Sequence, residues 1–173
     1  MTDTLRYDRR TVLFHWITLG MIAANWGLAQ IVDVFGRENA VWPRSAHILI
    51  GFALILLIIA RLLWRNVAGS KLPPADTGAL GLAAKAAHWG LYALVIAVLG
   101  FGLAYEAMRG DDILALGHLP VLITGERALR SALRGYHELA TNLLLILAGV
   151  HATAALAHRY LWKDSVLQRM TIG

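Results

Sequence analysis

The residues able to do chemistry are histidines. There are seven: His15, His47, His88, His118, His137, His151 and His158. A neutral imidazole ligates metals, and its proton exchanges near neutral pH. The sequence has no cysteine, which excludes disulfides, thiolate zinc sites, iron–sulfur clusters and thioether-attached haem. All the histidines but His118 lie in or at the ends of long apolar stretches. An ionisable group there is costly and marks a functional site by default. His137 and His151 are fourteen residues apart, close to four helical turns and about 21 Å along a helix axis. One helix would therefore present two imidazoles on nearly the same face at two depths.

The elements that must position them follow from composition. Of 173 residues, 58% are hydrophobic and only 16% charged, against about 25% in soluble domains. Four apolar stretches occupy residues 12–34, 46–64, 83–105 and 136–160. Each is near the roughly 20 residues that cross a bilayer core. The Asp8-Arg9-Arg10 start suggests a secretory or twin-arginine signal, but its apolar run is longer than a signal core of about 7–15 residues and no small-residue cleavage site follows. The expected fold is an all-α integral membrane protein: one membrane domain, 1–173, built as a bundle of four transmembrane helices. Ten of the sixteen Lys and Arg residues fall on the side of the termini, which places both termini in the cytoplasm. The net charge of +5 is then mostly topological and gives no reason to invoke nucleic acid. The connections are read as 35–45, 65–82 and 106–135. The second is rich in Gly and Pro, and the apolar part of the third, 113–123, is too short to span and is expected on the membrane surface or as a cap. Trp16, Trp26, Trp42, Trp64, Trp89 and Trp162 lie mostly near span ends and read as interface anchors.

On these spans the histidines fall into two layers. His47 and His137 lie toward the outer face. His15, His88 and His151 lie toward the cytoplasmic face, with His158 two turns beyond His151. Two layers of facing imidazoles suit two bis-histidine haems. A haem-free metal site would instead gather ligands at one depth, often with carboxylates. A proton channel would show a chain of Asp, Glu and His. Gly51, Gly90, Ala148, Gly149 and Ala152 could admit a flat macrocycle or simply let helices pack.

The order of short motifs resembles the bacterial cytochrome b561 family. These are Arg6-Tyr7, Phe14-His15-Trp16, His47 with Gly51, Arg61-Leu62-Leu63-Trp64-Arg65 and Ala87-His88-Trp89-Gly90-Leu91-Tyr92. Helix four adds Tyr136-His137-Glu138, His151-Ala152, Ala155-Leu156-Ala157-His158, Tyr160, Trp162-Lys163-Asp164, Leu167 and Arg169-Met170. The resemblance covers almost the whole chain. It implies two haem b groups, with His15 and His151 ligating the iron on the cytoplasmic side and His47 and His137 the iron on the periplasmic side. It also implies that His88 is not an axial ligand. Within the family the chain is most similar to the stand-alone type that oxidises superoxide and reduces ubiquinone, and its short tail without a fused domain fits that type. It departs in having Val98-Leu99-Gly100 where many members have a proline, and Arg159 where the second histidine of a His-His-Tyr motif is common. His118 has no counterpart.

The expected function is transmembrane electron transfer in the bacterial inner membrane. Electrons enter on the periplasmic side, with superoxide the expected donor, and leave through two haems to ubiquinone. Arg44, Arg127, Arg130 and Arg134 lie on the outer side and could focus an anion. Arg44 and Arg134 each stand three residues from an outer ligand. His158, His88, Lys163 and Asp164 lie toward the cytoplasmic surface, where quinone reduction needs protons. The alternative is a cytochrome b subunit that docks to a separate dehydrogenase or hydrogenase through the long outer connection. The partners are the bilayer, a quinone and a small-molecule donor, and a homo-oligomer is compatible with the sequence.

Overall fold

A computed structural model describes residues 6–36, 39–113 and 117–171. Four helices dominate it: α1 (Arg9–Phe35), α2 (Val41–Val67), α3 (Gly78–Arg109) and α4 (Arg127–Tyr160). All four are long and apolar enough to cross a membrane. Between α3 and α4 lies a two-stranded antiparallel ribbon, β1 (Asp112–Ile113) and β2 (Gly117–His118), pairing Asp112 with His118 and Ile113 with Gly117. A single 3-10 turn, Leu167–Met170, follows α4.

The helices extend past the apolar stretches. α4 has 34 residues, about 51 Å at 1.5 Å per residue, so it outreaches a hydrocarbon core of about 30 Å. It starts at Arg127 rather than near Tyr136, because nothing between Glu126 and Tyr136 breaks a helix except Gly135, which costs only about 1 kcal/mol. Much of the expected outer loop is therefore helix, and Arg127, Arg130 and Arg134 ride on it. The rest of that connection turns at Gly110, where φ is 62° and an added Cβ would stand 2.6 Å from the Leu119 carbonyl oxygen. Asp111, 6% exposed, then pairs with Arg109 (Nη2–Oδ1 3.0 Å) and Arg44 (Nε–Oδ2 3.7 Å). This carboxylate fastens the outer connection to the ends of α2 and α3.

Packing is uneven. α1 lies along α2 and α3 along α4, with slender contact between α2 and α3. The two helical hairpins meet mainly in one apolar layer of Ile58, Val95 and Leu144, joined by Ile22, Leu62, Leu91, Leu94, Val98 and Leu99. Leu144 is midway between His137 and His151 on α4. Many apolar side chains elsewhere face outward. Leu56 and Ile146, in mid-helix, are 69% and 65% exposed, as expected of surfaces solvated by lipid chains.

The face carrying the chain ends is laced by polar contacts. Asp8 caps α1 through the Thr11 N–H (2.9 Å) and hydroxyl (2.6 Å). It also accepts from the Trp64 indole (3.2 Å) and the Ser70 N–H (3.0 Å). The segment after α4 crosses the same face: the Met170 carbonyl accepts from the Trp16 indole (2.8 Å), and Arg169 donates to the Pro73 carbonyl (2.8 Å). Burial acts to raise the Asp8 pKa, but the hydrogen bonds from Thr11, Ser70 and Trp64 outweigh it and hold the carboxyl far below the usual carboxylate range. A depressed folded pKa means the stabilisation is complete above the unfolded pKa of about 3.9 and fades only as pH falls toward the folded value. Thermal stability should therefore be insensitive to Asp8 titration at neutral and mildly acidic pH. Asp8→Ala should lower stability by about 1 kcal/mol, the usual scale for a lost N-cap. Circular-dichroism melts in detergent at two pH values check both statements.

Candidate functional site

The structure brings the histidines together in two groups at opposite ends of the bundle interior. His47 on α2 faces His137 on α4, with ring centroids 6.2 Å apart and planes at 80°. His15 on α1 faces His151 on α4, at 6.4 Å and 67°. Both pairs bridge one helical hairpin to the other. α4 contributes one imidazole to each, as its fourteen-residue offset requires.

The distances test what such pairs can hold. An imidazole nitrogen stands about 2.0 Å from a first-row metal and its ring centre about 1.1 Å further back, so two imidazoles on opposite sides of one ion have centroids about 6.2 Å apart. Both pairs match. His88 on α3 is a third imidazole beside the second pair, with its ring 5.3 Å from that of His151. That is about 1 Å too close for the two to share an ion in trans. No cluster of three or more His, Asp or Glu able to hold a bare metal ion occurs among the described residues. Two ligands per site suit a metal whose other positions come from a macrocycle.

The first pair is also oriented. Nδ1 of His47 lies 3.0 Å from the Asn25 carbonyl oxygen, and Nδ1 of His137 lies 2.9 Å from that of Val98. A ring that donates its Nδ1 proton to a backbone carbonyl presents Nε2 as a lone pair, the usual outer-shell support for a ligating histidine. Gly102 makes the Val98 contact accessible. It is four residues on from Val98, where the helical carbonyl points, and a Cβ there would lie 3.1 Å from both Cε1 and Nδ1 of His137. Gly51 and Gly149 would meet nothing with an added Cβ, whereas one at Gly90 would press on Leu147 at 2.9 Å. The glycine that matters to an imidazole is thus Gly102, which sequence spacing did not single out. Asn25 Oδ1 and Tyr92 Oη are buried with no hydrogen-bond partner among the described residues. Each orphan costs about 1–3 kcal/mol; one is on the residue whose carbonyl faces His47, the other lies one turn from His88. The donor set, its spacing and these polar atoms fit a haem at each pair.

Beyond the second pair, His158 sits between two carboxylates. Its Nδ1 is 2.6 Å from Asp164 Oδ2, its Nε2 is 3.5 Å from Asp76 Oδ2, and Trp162 packs edge-on at 4.5 Å. Lys163 has a φ of 53°, the one positive value at a non-glycine among the described residues. That left-handed step reverses the chain after α4 and returns Asp164 to His158. The Lys163 side chain itself is exposed.

At the other end of the bundle, Tyr105, Arg109, Arg127, Arg130, Ser131 and Arg134 line an open cleft of about 220 Å³. Arg134 also bonds Glu138 (2.6 Å), and Arg44 lies with Asp111 rather than in the cleft. Of the two arginines singled out by spacing from the outer histidines, one lines the cleft and the other fastens the outer connection. His118 lies on β2, apart from both imidazole pairs in the sequence of elements.

Comparison with known proteins agrees with this architecture. The family model for prokaryotic cytochrome b561 matches residues 6–173. The chain is 30% identical over 168 residues to the probable superoxide oxidase CybB of Yersinia pestis, covering 95% of each protein. It is 27% identical over 170 residues to cytochrome b561 homolog 1 of Escherichia coli K12, covering 95% of this chain and 96% of that one. It is 29% identical over 180 residues to cytochrome b562 of Cereibacter sphaeroides, covering 98% of both. A bacterial membrane protein of four apolar helices, with facing imidazoles in its interior, this chain belongs to the prokaryotic cytochrome b561 family of haem b electron-transfer proteins.

Proposed function

We propose that the chain is a single membrane domain, termini in the cytoplasm, that carries electrons from superoxide on the periplasmic side to ubiquinone on the cytoplasmic side. One observation carries the reading: two imidazole pairs at iron-spanning separation, 6.2 and 6.4 Å, stacked about 21 Å apart along α4. His47 and His137 would hold the periplasmic-side haem, and His15 and His151 the cytoplasmic-side haem. When bound, the two haems supply one-electron redox chemistry at the two faces.

The protein's own groups supply the rest. His47 and His137 keep Nε2 available by donating from Nδ1 to Asn25 and Val98. The layer of Ile58, Val95 and Leu144 keeps water out of the bundle centre. Arg127, Arg130 and Arg134 crowd the first turns of α4, which has no acidic residue in its first turn. Cations at a helix N-terminus oppose the macrodipole, and basic residues on the outer face run against the topological bias. The arrangement is costly for folding and suited to attracting a small anion. On the other face His158, with Asp164 at Nδ1, can hand a proton to a quinone oxygen. The balanced turnover is two superoxide plus one quinone plus two protons giving two dioxygen and one quinol.

The test is reduction of the purified protein by a superoxide source in liposomes, with added quinone and a pyridine haemochrome count. Two haems b per chain, rapid haem reduction that superoxide dismutase abolishes, and quinol formation are expected. Haem reduction indifferent to the dismutase would remove superoxide as the donor and turn attention to a protein donor docking on the outer face.

A further inference from the structure

We infer that Asp76, in the connection between α2 and α3, supplies protons to the quinone site through His158. The inference rests on the quinone reading above and deepens it. The two carboxylates on the His158 ring are not equivalent. Asp164 has both oxygens engaged: Oδ2 takes Nδ1 of His158 at 2.6 Å and Oδ1 takes the Val166 N–H at 3.0 Å. Burial acts to raise its pKa, but the bonds from His158 and Val166, with the nearby Arg169 charge, hold it below its ordinary value. A carboxylate so fastened orients the ring and stays charged. Asp76 instead approaches Nε2 at 3.5 Å, beyond a firm hydrogen bond; both carboxylates meet solvent, at 27% exposure for Asp76 and 39% for Asp164, so the difference between them lies in how firmly each is bonded. Asp76 reaches both the working nitrogen and the solvent.

The two Asp residues arrive from different elements. Asp76 comes from the turn before α3, and Asp164 from the reversal that Lys163 makes after α4. Among the described residues, the charged groups set against the ring and its partners are these two carboxylates and the guanidinium of Arg169 on the 3-10 turn, which acts on Asp164; Arg159 and Lys163 are neighbours of His158 along the chain. With Nδ1 committed to Asp164, Nε2 is the nitrogen that can exchange a proton. The Nε2–H bond breaks as the reduced quinone oxygen gains the proton, leaving a neutral imidazole. A proton taken from water by Asp76 then restores Nε2–H. Two such transfers accompany the two electrons of each quinone. Asp76 touches neither quinone nor haem in this scheme; it is a positioning residue acting through His158.

The experiment is the pH profile of superoxide-driven quinol formation by the intact, haem-loaded protein in liposomes, for wild type, Asp76→Asn and Asp76→Glu. Loss of the carboxylate removes the local proton source and the counter-charge to the imidazolium. Asp76→Asn should therefore be at least about tenfold slower at about pH 8, and the gap from wild type should narrow as pH falls, where bulk hydronium replaces the missing carboxylate as the proton source. Asp76→Glu should restore most of the alkaline rate. Haem content, and haem reduction by superoxide without quinone, should match wild type in both. A profile identical to wild type, or an equal loss at every pH, overturns the assignment. If wild type itself forms no quinol, the quinone reading falls and the relay with it. If wild type forms quinol and Asp76→Asn is indistinguishable from it, only the relay falls.

Discussion

Replacing His137 by alanine should lower the haem content of the purified protein from two to one per chain. His47→Ala should do the same, and His15→Ala or His151→Ala should empty the other site. His88→Ala should leave both haems bound. The expectation rests on centroid separations of 6.2 and 6.4 Å for the two assigned pairs, against 5.3 Å for His88 and His151. The readout is the pyridine haemochrome count with the reduced-minus-oxidised spectrum, so lost turnover cannot be mistaken for a lost cofactor. Gly102→Ala is the finer probe. Its new methyl group would stand 3.1 Å from two atoms of the His137 ring, which cannot swing away without breaking its 2.9 Å contact with the Val98 carbonyl. Disturbing such outer-shell support typically weakens a metal site about 10–100-fold, so haem should be lost from that site on dilution. If His88→Ala loses a haem while His15→Ala keeps both, the cytoplasmic-side ligand set is wrong.

Reversing two charges in the outer cleft should slow superoxide capture without touching haem content. Arg127→Glu with Arg130→Glu should cut the second-order rate of haem reduction by about 10–100-fold at low salt, within the roughly 10–1,000-fold range over which focusing fields act. The gap from wild type should narrow as ionic strength rises, because the Debye length falls from about 30 Å at 0.01 M to about 3 Å at 1 M. Arg44→Ala should behave differently. Arg44 lies with Asp111, itself 6% exposed, so its removal should loosen the outer connection and lower thermal stability more than the capture rate. Stopped-flow reduction across a salt series separates the two. A double reversal with wild-type rates at every salt concentration would leave the cleft without a role in steering.

Several features are legible in the order of residues alone. Four apolar stretches near or above the length of a bilayer core leave an α-helical bundle as the natural fold, since unpaired backbone groups cannot be left in lipid. The spacing of His137 and His151 puts two imidazoles on one face of one helix, because helical rise and twist are fixed. Spacing leaves open which residues meet across helices. His15 and His88 lie at similar depth, and only the family resemblance ranks them; the separations from His151 give a geometric reason. Gly51 has the right offset from His47, yet it is Gly102, on a different helix from the ring it accommodates, that crowds an imidazole. No pattern within one helix reports the void beside another helix's side chain.

The start of α4 shows a similar limit. Residues 106–135 read as a long loop because membrane-span reasoning follows hydropathy, and the arginines there lower it. Helix formation needs only the absence of breakers and continues into water. The two-residue strands β1 and β2 are too short to show an alternating pattern.

Composition and periodicity therefore determined the lipid-embedded helices and the two depths of the imidazoles, and the order of motifs determined the family, because these depend on local properties of the chain. Tertiary structure decided the pairings: His47 with His137, His15 with His151, His158 between Asp76 and Asp164, and Arg44 with Asp111. Asp76 is 82 residues from His158 in the chain, and it takes the turn before α3 and the reversal at Lys163 to bring carboxylates to both ring nitrogens. Contacts between distant segments depend on the packing of every element between them, so no local rule of sequence could have supplied them.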